Sequence, residues 1–258
     1  MDKRNIETIK TYILAPITLS IFILFWEIIA NLKLVDALIL PSPSSIMLAF
    51  IQNFAELSFH LGITAFESIL GFGVGVIGAF LFAILFIYSK DVKSAFLPFA
   101  VALKATPLVA LAPLVILWFG NDIHSKIVMG AMVAFFPVLI NSLDGMGSVQ
   151  KEQLNLMKSY SATRLQTLLK LRIPNSMPFI ISSLKVASTL AIVGVVIGEF
   201  TGATSGLGYI IINSLYYLET PLMFAAIILI SLWGILFYGV IVLIENQFNK
   251  TTYYREEQ

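Results

Sequence analysis

The sequence has no cysteine and only two histidines, His60 and His124. Disulfides, thiolate metal sites, cysteine nucleophiles and histidine-rich metal clusters are therefore excluded. No Gly-x-x-x-x-Gly-Lys phosphate loop occurs, so the chain has no such device for hydrolysing ATP. Charge is equally scarce, at 12% of residues with a formal net charge of +1. What is abundant is apolar: 58% of the 258 residues are hydrophobic, 20 are Phe, and the mean hydropathy is +0.91. A soluble domain does not tolerate that composition, and the chain reads as an integral membrane protein with lipid as its solvent. No nucleic-acid partner and no metal are expected.

Spanning the hydrocarbon takes roughly 20 mostly apolar residues. Six stretches qualify, at about 11–31, 62–88, 95–119, 126–146, 177–199 and 221–245. None alternates as a strand would, and lipid cannot satisfy an open backbone, so the expected fold is all-α: one polytopic domain over 1–258. The first run lacks a small-residue cleavage site and contains Glu27, which reads as a retained helix rather than a signal peptide. With the N-terminus in the cytoplasm, 12 of the 16 Lys and Arg residues fall inside, Lys33 and Lys126 fall outside, and Lys104 and Lys185 lie within spans. That bias puts both termini in the cytoplasm.

Two outside segments look folded. "LPSPSSIMLAFIQNF" is a turn followed by an apolar helix, with Ser42 or Ser44 as its cap, lying along the outer interface. "TGATSGLGYIIINSLYYLET" begins rich in Gly and Ser and ends as a short re-entrant or interfacial helix. Within the spans, Gly71, Gly75 and Gly78 form a small-residue stripe suited to close helix packing. Pro107 and Pro113 each remove an intrahelical hydrogen bond, so the third span is expected to be broken twice and to line a cavity or kink. The intramembrane charges are Glu27, Glu67, Lys104, Lys185 and Glu199. Such groups are costly in hydrocarbon and are paired or functional. The two lysines lie toward the inner ends and are expected to snorkel, whereas Glu67 and Glu199 lie toward the outer ends, as structural hydrogen-bonding groups or as a lining of the outer mouth.

One polar interruption stands out. From Val149 to Pro174 the chain forms its longest inside loop, with two amphipathic helical runs, "VQKEQLNLMKSY" and "TRLQTLLKL", separated by "SA". Thr163 followed by Gln166 fits a capping box, and Pro174 marks a break before the fifth span. Leu154, Leu156, Met157, Leu165, Leu168 and Leu169 need cover, either from the chain's own helix ends or from a cytoplasmic partner.

The same segment resembles the signature loop of ABC importer permeases, Glu-Ala-Ala, three residues, Gly, nine residues, Ile-x-Leu-Pro. Leu171-Arg172-Ile173-Pro174 fills its last element, Ser161 stands at the glycine, and Asn155-Leu156-Met157 stands at the opening triplet. Further stretches, "LPSPSSI", "ESILGFGVGVIGA", "ATPLVALAPLVILWFG", "SKIV", "RIPNSMPFIISSLKVA" and "VVIGEFTGATSGLGYIII", resemble the permeases of nitrate, sulfonate, taurine and pyrimidine-precursor importers.

That resemblance implies a type I importer subunit in the bacterial inner membrane, six helices per chain. It further implies a second, identical permease chain, a cytoplasmic ATPase pair that binds ATP and Mg, and an extracytoplasmic binding protein. The substrate would be a small solute such as a sulfonate, nitrate, bicarbonate or a pyrimidine or vitamin precursor, moved by alternating access. Asn155, Leu156, Met157, Lys158, Ser161, Ala162, Thr163, Arg164, Leu165, Gln166 and Pro174 would contact the ATPase. Glu67, Lys104, Thr106, Pro107, Pro113, Glu199 and Thr201 would form the path or its gate. No catalytic residue is expected. The alternative is a structural or regulatory subunit of an ABC complex that does not import; a membrane enzyme lacks convergent acids, nucleophiles or ligands at membrane depth.

Overall fold

A computed structural model describes residues 3–256, with the side chains of residues 14, 16–103 and 105–247. The described chain is helical throughout, without strands: α1 (Lys3–Asn31), α2 (Pro43–Gln52), α3 (Phe54–Tyr88), α4 (Lys90–Ala105), α5 (Leu108–Phe119), α6 (Ile123–Gly147), α7 (Lys151–Ser159), α8 (Arg164–Thr167), a π-helical turn (Leu168–Arg172), α9 (Ile173–Phe200), α10 (Leu207–Tyr216) and α11 (Thr220–Glu256). Four continuous helices within this set are long and apolar enough to span a membrane: α3, α6, the rod from Arg164 to Phe200, and α11. The bent pair α4–α5 makes a fifth. The described apolar part of α1, Pro16–Asn31, is shorter, so the expected count of six is not reproduced by length alone.

Contacts group the chain into two compact units. The first holds the described residues up to Phe59 together with Ile210–Ile228. Here Glu27 finds its purpose. One of its oxygens accepts from the Ser44 amide at 3.0 Å and the other from the Ser44 hydroxyl at 2.7 Å, so an acid in α1 serves the exposed first turn of α2. Of the two expected caps Ser42 is the one, accepting from the Ser45 amide, and Pro43 occupies a position that has no amide to lose. Trp26 donates to the Pro41 carbonyl at 3.0 Å and packs on Phe224.

The second unit holds His60–Tyr209 and the described residues from Leu229 onward. Helices α6 and α9 pack closely along their length, and α3 packs against α6. Small residues make that closeness possible: a Cβ on Gly194 would stand 2.5 Å from the Met129 carbonyl oxygen, and one on Gly75 2.6 Å from that of Ala131. The stripe Gly71–Gly75 therefore packs against α6, and Gly78 faces the Phe135 ring more loosely.

Two expectations are corrected. The third span breaks once, not twice: α4 and α5 meet at Thr106–Pro107 with a bend of 107°, while Pro113 lies inside α5. Pro98 and Pro113 sit in continuous helix, so the proline alone does not break it; at Pro107 the preceding residue, Thr106, has left the helical region. Lys185 does not simply snorkel, because it donates to both carboxylate oxygens of Glu245 on α11, at 3.0 and 2.9 Å. Lys126, at the expected start of the fourth span, lies in the first turn of α6 and is buried.

The Lys185–Glu245 pair joins two of the apolar helices, α9 and α11. Replacing Lys185 by Met leaves Glu245 without its cation, and the expected result is a lower melting temperature and yield in detergent. Exchanging the two residues, Lys185→Glu with Glu245→Lys, is expected to restore both.

Candidate functional site

At one end of the second unit, α6 ends at Gly147 and the chain turns into α7, held by a reciprocal Gln150–Gln153 capping box. Helix α7 stops in a Schellman motif. The Ser161 amide donates to the Lys158 carbonyl and the Ala162 amide to the Met157 carbonyl, each at 2.9 Å, with Ser161 at φ +53°. The glycine position of the signature pattern thus has the backbone a glycine would favour, but a serine occupies it. Thr163 then starts α8 through the expected capping box, accepting from the Gln166 amide while Gln166 accepts from the Thr163 amide.

The expected break at Pro174 is absent. Instead α8 runs into α9 through the π turn Leu168–Arg172, in which the Ile173 amide donates to the Leu168 carbonyl five residues back. Pro174 has no amide, and its ring would press on the carbonyl four residues earlier; the widened turn removes that clash and lets the helix continue. One rod of 37 residues, Arg164–Phe200, therefore includes both the end of the loop and a span.

The loop is pinned to its own bundle at several points. The Tyr88 hydroxyl donates to the Arg164 carbonyl at 2.7 Å. Arg172 donates to the Met146 carbonyl at 2.6 Å, and Asn175 to the Gly145 carbonyl and the Ser148 hydroxyl. These donors satisfy carbonyls at the end of α6, where positive charge is favoured. The loop's apolar residues divide in two. Leu168 is buried in the core cluster that includes Phe86 and Met146, whereas Leu156, Leu165 and Leu169, like Tyr160, stay exposed. Asn155, Lys158 and Arg164 are exposed around them, and Ala162 and Met157 are half-buried.

At the other end of the rod lies a buried polar knot. Glu199, 1% exposed, accepts from the Thr64 hydroxyl at 2.6 Å and from the Gly208 amide at 2.6 Å. Thr64 in turn accepts from the Leu207 amide at 2.8 Å, and His60 Nδ1 accepts from the Gly206 amide at 2.9 Å. Three consecutive amides, at the start of α10, are thereby taken up by side chains of α3 and α9. Gly206, at φ +104°, approaches so closely that a Cβ would stand 2.0 Å from the carboxylate of Glu199. The Glu67 side chain reaches Glu199 as well, and the Lys126 charge acts on both acids. Lys126 donates to the Asn121 carbonyl and Asn121 to that of Gly202, which ties the α5–α6 turn to the start of the same loop.

The family described as the binding-protein-dependent transport system inner membrane component matches residues 71–250. The chain belongs to this family of ABC transporter permeases. The permease is 33% identical over 233 residues to a probable ABC transporter permease protein of Haemophilus influenzae, covering 90% of this chain and 95% of that one. It is 33% identical over 222 residues to the formylaminopyrimidine transport permease protein ThiX of Halalkalibacterium halodurans, covering 86% and 88%. A solved structure of the methionine ABC transporter MetNI, at 15% identity, superposes with a TM-score of 0.55 over 77% of the permease and 97% of that chain, which shows a shared type I importer fold.

Of the candidate path residues, the permease buries Glu67 and Glu199 in the knot. Thr106 and Pro107 form the α4–α5 corner, with the Thr106 hydroxyl donating to the Ala102 carbonyl, and Pro113 is exposed on α5. Thr201 closes α9, its hydroxyl bonded to the Ile197 carbonyl. The side chain of Lys104 lies outside the described residues. His60, Thr64 and Tyr88 are not singled out by the sequence motifs, whereas Gly206 and Gly208 lie in the quoted TGATSGLG segment and Asn175 in the quoted RIPNSMPF stretch. A signal for the first two exists: His60, Thr64, Glu67, Gly71 and Gly75 fall at helical spacing on one face of α3.

Proposed function

We propose that this permease forms the translocation path of an importer, with a second copy of itself, and is driven by separate cytoplasmic ATPases that dock on the exposed cluster Leu156, Tyr160, Leu165 and Leu169. The observation that carries this reading is the continuity of the docking loop with a span. A displacement applied to α8 moves α9 without a flexible joint between them. Asn155, Lys158 and Arg164 give the apolar cluster a polar rim, as a protein-binding patch requires. The loop and both termini face the cytoplasm, consistent with the charge bias, and a binding protein delivers substrate at the opposite side.

For substrate we propose a small, neutral or weakly charged heterocycle such as a pyrimidine precursor. A relative named for formylaminopyrimidine supports this, as does the absence of any arginine between Arg4 and Arg164, which leaves no arginine array for an anion. The test is affinity purification in detergent, with partners identified by mass spectrometry. An ATPase and a soluble binding protein are expected together, the latter then screened against pyrimidines and sulfonates. Recovery of neither, with the permease dimer intact, would overturn the importer reading in favour of a structural subunit.

A further inference from the structure

The knot around Glu199 and the docking loop occupy opposite ends of one rod. From Arg164 to Phe200 the helix has 37 residues, about 55 Å at 1.5 Å per residue. Near its last turn the Glu199 carboxylate takes the Gly208 amide directly and the Leu207 amide through the Thr64 hydroxyl. Nothing in ordinary helix packing requires an acid there. A buried carboxylate is costly unless its acceptors are used, and here one oxygen takes the Gly208 amide and the other the Thr64 hydroxyl that holds Leu207, with the Glu67 side chain also in reach. The segment between Thr201 and Tyr209 has two backbone positions at positive φ, Gly202 and Gly206, and no regular structure before Leu207, so its conformation depends on these tethers. The Asn121 side chain holds only its beginning, at Gly202.

We infer that Glu199 and Thr64 are positioning residues that clamp the outer segment Thr201–Gly208 to the rod, so that a displacement started at the docking loop is delivered to the outer face. This rests on the importer reading above. Thr64 is the element to test, because Val matches its shape and removes the hydroxyl that bridges Leu207 to Glu199. Glu199 and the Leu207 amide are then each left short of a partner.

The chain's lack of cysteine allows single labels at exposed positions, Lys151→Cys near the docking loop and Thr204→Cys in the outer segment. Labelled permease is assembled with a cysteine-free form of its co-purifying ATPase, and the label signal is recorded with and without ATP. Both positions are expected to respond in the otherwise unaltered chain. With Thr64→Val the response at 204 should fall at least five-fold while that at 151 stays within two-fold, and Thr64→Ser should keep both. Should Thr64→Val fail to assemble, Glu199→Gln, which keeps the size and removes one acceptor, carries the same test with a loss of two-fold or more at 204. A full response at 204 in the variant used, or loss of it in Thr64→Ser, overturns the clamp. Silence at both positions in the unaltered chain, with ATPase bound and active, overturns the importer reading itself.

Discussion

On the proposed importer reading, Leu165→Asp is expected to reduce uptake by at least ten-fold while leaving the permease inserted. Leu165 is 63% exposed and belongs to no core cluster, so the folded chain loses little when it becomes acidic. Leu169, four residues on along the same rod, and the other exposed apolar residues of the loop, Leu156 and Tyr160, are also open, and a carboxylate at Leu165 would have to be desolvated by an apolar partner surface. The measurement is uptake beside ATPase activity and pull-down of the ATPase subunit. Normal values for all three would place the docking surface elsewhere. Ser161→Pro attacks the same loop through its backbone. Proline fixes φ near −65° where the Schellman corner has +53°, and it removes the amide that donates to Lys158. The opposite change, Ser161→Gly, removes the left-handed penalty of roughly 1 kcal/mol and is expected to raise thermal stability slightly without loss of uptake.

The second large effect falls on folding. Gly194→Val is expected to abolish recovery of monodisperse protein. Its Cβ would lie 2.5 Å from the Met129 carbonyl oxygen and 2.9 Å from the Gly130 Cα, and both are backbone atoms of α6 that cannot swing aside. Overpacking a tight contact costs about 1–3 kcal/mol when side chains can yield, and here the helices themselves must part. Gly75→Ala should show the same defect more mildly, with 2.6 Å to the Ala131 carbonyl oxygen. Gly73→Ala, with nothing within 4 Å of its added carbon, is the control. Size-exclusion profiles of tagged variants decide the matter; equal profiles for Gly194→Val and Gly73→Ala would mean that the α6–α9 seam is looser than described.

Much of this was legible from residues alone. Apolar runs located α3, α6, α9 and α11 because lipid forces each backbone to bond within its own helix. The Thr163–Gln166 box and the Ser42 cap were readable because capping is local, confined to three residues. Pro174 misled for the same reason. A proline is a local signal for a break, yet one extra residue in the preceding turn, invisible to any pattern of spacing, let the helix pass through it. Lys185 and Glu245 are 60 residues apart, and no periodicity reports which two spans lie side by side. The knot is hard to read for both reasons together: His60 and Thr64 lie on α3 and Glu199 on α9, far apart in sequence, and their partners include backbone amides, which every residue but proline possesses.

The π turn also fixes the length of the chain. It gives the rod one residue more than an α-helix of the same reach, and the widened turn absorbs that residue so that the faces of α8 and α9 stay in phase. Deleting a residue from Leu168–Arg172 would close the turn into ordinary α-helix and keep Gly194 facing α6, but it would set the Pro174 ring against a carbonyl. Deleting one anywhere between Pro174 and Gly194 would rotate the two ends by about 100° relative to each other. The surplus residue is therefore what the proline needs: it can be removed only together with Pro174.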